Sequence, residues 1–267
     1  MNKRKARGGT GPILIMVGMV FILAYCGSPE TPKHPDSEQP DSLLGLNRIT
    51  STANFAYYFD GTDISQIQAV IDALESNYGR IVSDLEPVNM PVVRAMIWSD
   101  ENEFNKIMLA HLGHGYTGVT GYVAGPAELR ILLTSRSPLT AVHEFAHNVT
   151  LNLNRNIGNN PRWLWETVAV YESQGFTHPN TLHYMASGDY PTLEELNTST
   201  DPGREKVYEV GYILGEYIVE TWGIKTLRDL IRHFGDLSAV LGISASEFES
   251  EWYAWVRARY FADYQKN

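Results

Sequence analysis

The spacing of apolar residues changes several times along this chain. Residues 12–25 are almost continuously apolar (PILIMVGMVFILAY), whereas residues 28–47 have no apolar period and hold the run SPETPKHPDSEQPDS. An aromatic run at 54–59 (NFAYYF) predicts a strand. Behind a capping Asp63, Ile64, Ile67, Ile71, Leu74, Tyr78, Ile81, Val82 and Leu85 recur at helical spacing. A second strand is predicted at 92–98. Ser99 and Asp100 then open a short helix through Phe104, Ile107 and Met108. Two further strand candidates, GVTGYVAG and ELRILLT, meet near Gly125 and Pro126. From residue 137 the period is helical nearly throughout. Ser137 and Pro138 start one helix, which runs to about Asn154. Pro161 starts another, stopped by Gly175. Later helices are predicted near 204–222, 225–234 and 246–262.

This pattern divides the chain into four parts: 1–26, 27–48, 49–135 and 136–267. The expected fold class is α+β, with a small mixed sheet/helix layer at 49–135 packed on a mostly helical half at 136–267. Residues 27–48 cannot bury a core and read as a disordered tether. Residues 1–26 have the layout of an export signal, in which basic Lys3, Arg4, Lys5 and Arg7 precede a short apolar run and small residues. The run is short for a membrane span, which needs about 20 apolar residues. Cys26, the single cysteine, closes the segment Leu23-Ala24-Tyr25-Cys26. That segment resembles a lipobox, except that Tyr25 occupies a position that usually holds a small residue. The resemblance implies a lipid anchor at Cys26 and a place in the cell envelope. A signal anchor or ordinary secretion is the alternative.

The candidate chemistry lies in the first C-terminal helix, AVHEFAHNVT. His143 and His147 are four residues apart, so on a helix they project about 40° from one another and can reach one metal ion. Glu144 is rotated away from them, within reach of a water on that ion. A catalytic zinc site needs a third protein ligand and an open position. Glu166 follows His147 after eighteen residues and lies on the next helix, beyond the turn NRNIGNN that would bring it back alongside the pair.

HExxH, eighteen residues and then Glu within WLWETVAVY resembles the gluzincin metallopeptidases. The likeness is to their compact peptidase MA-like branch and, more distantly, to the aminopeptidase-N family. It covers most of residues 50–262. Thr167 stands where the family motif has glycine after the ligand glutamate. Tyr208-Glu209-Val210-Gly211 resembles the family's Tyr-Glu-x-Gly stretch, which implies that Tyr208 is the transition-state tyrosine, with Tyr212 one turn later as the fallback. The resemblance implies a zincin-type fold, one Zn2+ held by His143, His147 and Glu166, and hydrolysis of a peptide or protein substrate. Glu144 would be the general base. The aminopeptidase strand motif that anchors a free amine has no counterpart, because GVTGYVAG contains no acid. Aminopeptidase activity is therefore not implied.

Charge narrows the partners. With 31 acidic and 21 basic side chains the formal charge is −10, which argues against nucleic acid, whose binding rests on neutralising phosphates. Two alternatives to a peptidase remain open: an inactive metallopeptidase-like binding lipoprotein, and a zinc hydrolase of a non-peptide amide. His111, His114, His178 and His183 are expected to be solvated loop histidines. Trp163 and Trp165 are expected in the core, and Glu172 at the surface or bracing the site. The sequon at Asn148 is read as chance, because it lies inside the motif helix.

Overall fold

The computed structural model describes residues 42–113, 118–198 and 203–262. The segment read as an export signal, Cys26 and His114 lie outside them. Among the described residues no helix is long and apolar enough to cross a membrane. The fold is α+β, with a mixed sheet in the N-terminal part and a mostly helical C-terminal half. The strands are β1 (Ser42–Leu43), β2 (Leu46–Ser51), β3 (Phe55–Phe59), β4 (Val93–Trp98), β5 (Gly121–Gly125) and β6 (Glu128–Leu132). They form one sheet in the order β1-β2-β3-β4-β6-β5. Pairing begins at Ser42, inside the stretch expected to be tether, and Leu46 is buried. The apolar signal there is only a few residues long, too short to show a period.

β3, β4 and β6 are parallel, and β2 and β5 flank them antiparallel. Parallel neighbours need a crossover. Helix α1 (Gln68–Leu85) supplies the first and α2 (Glu101–Leu112) lies within the second. The two helices cover opposite faces of the sheet. Val70, Leu74 and Ile81 of α1 join the main core, whereas Phe104 and Met108 of α2 join a smaller cluster with Tyr58, Met96 and Trp98. Covered on both sides, β3 buries all five of its residues, which is why its sequence is continuously apolar rather than alternating.

The C-terminal half comprises α3 (Ser137–Leu153), α4 (Arg162–Glu172), the short α5 (His183–Ala186) and α6 (Leu193–Asn197), then α7 (Gly203–Trp222), α8 (Ile224–Arg232), α9 (Leu237–Leu241) and α10 (Ala245–Tyr260). One apolar cluster runs from Phe55 through Phe145 and Trp163 to Trp252, so residues 49–135 and 136–267 share a single core. Helix α3 is its axis and packs on α1, on the β5–β6 hairpin and on α4. Phe145 stands edge-on to Phe55 at 5.1 Å and stacks on Tyr78 at 5.4 Å, tying α3 to β3 and α1.

The polar face of α3 is equally fixed. The Asn148 amide donates to the carbonyls of Gly125 (2.6 Å) and Glu128 (3.1 Å), and Asn152 donates to that of Pro126 (2.7 Å). These bonds hold the β5–β6 hairpin against the helix. Asn148 is fully buried, which leaves its sequon no room for a glycan.

Candidate metal centre

Helix α3 begins one residue earlier than its first proline suggests. Arg136 is the N-cap and Ser137 occupies the first turn with Pro138. The Ser137 hydroxyl donates to the Leu132 carbonyl (3.0 Å), which fastens the start of the helix to the end of β6. From there His143 and His147 project toward α4 with their rings 4.7 Å apart and perpendicular.

Helix α4 returns antiparallel after the asparagine-rich turn and presents Glu166 to the pair. One carboxylate oxygen, Oε2, lies 3.3 Å from His143 Nε2 and 3.6 Å from His147 Nε2. The candidate ligand atoms of His143, His147 and Glu166 all lie within 4.8 Å of one another, so this group could hold a metal ion. The donor set fits one. Oε2 is buried without a hydrogen-bond partner, and a buried carboxylate oxygen in that state is costly unless something cationic meets it.

The other oxygen of Glu166 is occupied. Oε1 accepts from Arg162 Nη1 at 2.9 Å and from the Tyr208 hydroxyl at 3.2 Å. Arg162 also lies over the Tyr208 ring, 5.3 Å from its centre, and reaches Asn159 Oδ1 at 3.3 Å. The carboxylate is therefore divided, with one oxygen tied to Arg162 and Tyr208 and one turned to the imidazoles. Sequence reading missed Arg162, although its spacing of four residues before Glu166 on one helix was a usable signal.

Burial and pairing set the charges. Burial pushes the Glu144 carboxyl up to about 7. Burial also penalises the His147 cation and lowers that imidazole to about 4. For His143 burial acts the same way, but the facing Glu166 carboxylate and the Glu144 carboxylate outweigh it and raise the imidazole. Burial opposes the charge on Glu166, yet the two imidazoles facing it hold it well below the usual carboxylate range. Burial, with the Glu166 charge adding to it, keeps the Tyr208 phenol protonated far above its ordinary range. That hydroxyl is a donor at any working pH.

The orientation of His147 departs from expectation. Ligand imidazoles usually donate their second nitrogen to an acceptor. His147 Nδ1 is buried with no hydrogen-bond partner. Trp165 stacks on the ring instead, 4.0 Å away and within 6° of parallel. Trp163 and Trp165 are both buried in the core as expected, and Trp165 also touches the site. Nothing in the spacing distinguished the two.

Tyr208 reaches the centre because α7 lies close on α4. At Gly215 an added Cβ would sit 2.7 Å from Tyr171 Cβ, and at Gly211 it would sit 3.1 Å from Val170 Cβ and 3.4 Å from Thr167 Cα. Thr167 is fully buried, and its backbone lies against the glycine of the facing helix. Tyr212 points elsewhere, with its ring against Tyr171 and Phe176 at 5.5 and 5.2 Å.

A cleft of about 560 Å3 opens onto His143, Glu144 and Tyr208. His147 and Glu166 lie buried behind them. Residues 118–120 and Gly121, the first residue of edge strand β5, line one part of the cleft. Gly121 has no room for a side chain, since a Cβ there would come within 2.5 Å of Thr140 and 3.0 Å of Glu144.

The remaining candidates lie apart. Glu172 is fully buried rather than exposed, and its Oε2 meets Arg80 of α1 at 2.6 Å. It braces α4 against α1. His111 ends α2 near Tyr122, His178 caps a short turn, and His183 is exposed in α5. No protein-family model matches this chain, and no curated protein matches it either.

Proposed function

We propose that the chain is an exported zinc-dependent metallopeptidase of gluzincin type. The observation that carries this reading is the convergence of His143, His147 and the unpartnered oxygen of Glu166 behind a cleft, with Glu144 and Tyr208 on the cleft side. Two imidazoles and one carboxylate with an accessible side suit catalytic zinc. Zinc at this position would polarise the scissile carbonyl and acidify the attacking water.

The chain's own residues supply the remainder. Glu144, buried and with its carboxyl near pH 7, is poised to take a proton from the attacking water and pass it to the leaving amine nitrogen. The Tyr208 hydroxyl, released from Glu166 Oε1, would donate to the developing oxyanion. Loss of one such donor costs roughly a hundredfold or more in rate. Arg162 would keep Glu166 facing the ion through one oxygen.

The test is elemental analysis of the purified full-length protein, followed by incubation with a mixed peptide library beside Glu144→Gln. Stoichiometric zinc in both proteins, with cleavage only by the parent, is the expected result. Zinc in both without cleavage by either sinks the peptidase reading. Absence of any bound divalent metal removes the centre itself.

A further inference from the structure

The composition of the cleft bears on what enters it. Ten described lysines and arginines are ion-paired, among them Arg80, Arg94, Arg130, Arg228 and Arg259, as expected where acids outnumber bases by ten. Arg136, like Arg48, Arg155 and Arg257, has no carboxylate partner among the described residues, but of these four it alone lines the cleft, where it is exposed. Among the described residues, the other ionisable side chains on the lining are His143, Glu144 and Tyr208.

Arg136 is also ordered relative to the centre. Arg136 at the N-cap of α3, then Leu139 and His143 within the helix, follow at i, i+3 and i+7 and all line the cleft. Arg136 lies about 10 Å from His143 along the axis, at 1.5 Å per residue. An extended peptide covers that distance in about three residues. Among threonines and a serine, the lining carries two large apolar side chains: Leu139 is 40% exposed and Phe176, on the loop after α4, is 45% exposed. Large apolar side chains left exposed in a concave site mark a binding surface rather than a core.

We infer that this cleft selects peptides bearing a carboxylate two or three residues from the bond presented to His143, with an apolar side chain between the two. Arg136 holds the carboxylate, and Leu139 and Phe176 hold the apolar side chain. A planar guanidinium suits a carboxylate through paired hydrogen bonds. The carboxylate can be the peptide's own C-terminus or an aspartate or glutamate side chain. The inference rests on the peptidase reading for the choice of a peptide as the ligand.

Binding, rather than turnover, tests it. Labelled peptides of one sequence would be prepared with a free C-terminus, with a C-terminal amide, and with an internal acid at the second or third position. Each would be titrated against full-length Glu144→Gln and against Glu144→Gln carrying Arg136→Gln. Hydrogen bonds to a charged group imply about tenfold or more tighter binding of carboxylate peptides to the first protein. Arg136→Gln should erase that preference without weakening the neutral peptide, and Arg136→Lys should keep part of it. Phe176→Ser should weaken charged and neutral peptides alike. Tighter binding of only the free-terminus peptide identifies a C-terminal carboxylate, and of only the internal acids a side chain. Equal affinity for charged and neutral peptides overturns the inference, as does a preference that survives Arg136→Gln. Selective binding without cleavage by the parent keeps this subsite and removes the peptidase reading. Absence of binding by every peptide overturns both.

Discussion

Glu128 and Glu166 are both nearly withdrawn from solvent, at 6% and 4% exposure, but their surroundings differ. Glu128 lies at the start of β6, on the sheet face covered by α2. Each of its oxygens meets an arginine: Oε2 accepts from Arg94 at 2.9 and 3.0 Å, and Oε1 from Arg130 at 2.7 Å. Arg130 in turn donates to the Tyr122 hydroxyl at 3.0 Å. That network closes on itself. Glu166 lies on the helical side of the sheet, and only one of its oxygens is satisfied. Beside it, His147 Nδ1 has no hydrogen-bond partner. Isolated neutral groups such as Tyr58 and Trp252 also lack hydrogen-bond partners. What distinguishes the centre is that open ligand atoms converge on one point. A closed buried network is architecture, whereas an open one spends stability to keep a site ready for a ligand.

The sharpest way to break this comparison is to make both places apolar. Glu128→Leu strands Arg94 and Arg130 and should cost about 3 to 5 kcal/mol in urea unfolding. His147→Leu, unfolded in the same way with chelator present, should lie within about 1 kcal/mol of the parent or above it, because it removes a buried group that has no hydrogen bond. A large loss in His147→Leu would mean that the centre is ordinary core.

A smaller effect tests the satisfied half of Glu166. Arg162→Gln should lower metal affinity by about 10- to 100-fold, the usual range for a residue that orients a ligand. Competition with a chromophoric chelator reads this directly, and unchanged affinity would remove Arg162 from the centre.

The smallest effect concerns Glu172, which lies between the two cases. Its Oε2 is paired with Arg80 and its Oε1 is buried without a partner. Burial outweighs Arg80 and lifts the carboxyl to about 7. The folded state therefore holds this proton more tightly than the unfolded chain does. The stabilisation is present at acid pH and is lost as pH rises from the ordinary carboxylate range through 7. Across that window the loss should be about 1 to 2 kcal/mol, reduced by solvent at the part-exposed Arg80. Thermal unfolding of the parent and Glu172→Gln from pH 4.5 to 8 should show the variant losing less. Parallel curves would show that Glu172 titrates normally.

Much of this protein was determined by local sequence. The aromatic run of β3, the apolar period of α1, and Ser137-Pro138 at the start of α3 are signals within one element, and each element formed nearly where its signal lies. The spacing of His143 and His147 fixed their shared face, because helical geometry alone sets it. The eighteen-residue gap to Glu166 was legible for the same reason, since a turn between two antiparallel helices leaves few alternatives.

What only the tertiary structure decided involves contacts between elements that no local period encodes. The short pairing at Ser42 and Leu46 depends on a neighbouring strand. The burial of Glu172 depends on Arg80, ninety-two residues away. Tyr208 rather than Tyr212 meets Glu166 because Gly211 and Gly215 let α7 settle on α4 in one rotation. Trp163 and Trp165 flank the same ligand and both join the core, yet it is Trp165 that stacks on His147. The division of Glu166 into a tied and an open oxygen needed Arg162, Tyr208 and both histidines in place at once. A sequence states which groups are present and how they are spaced within an element. Packing alone decides which of them are left without a partner.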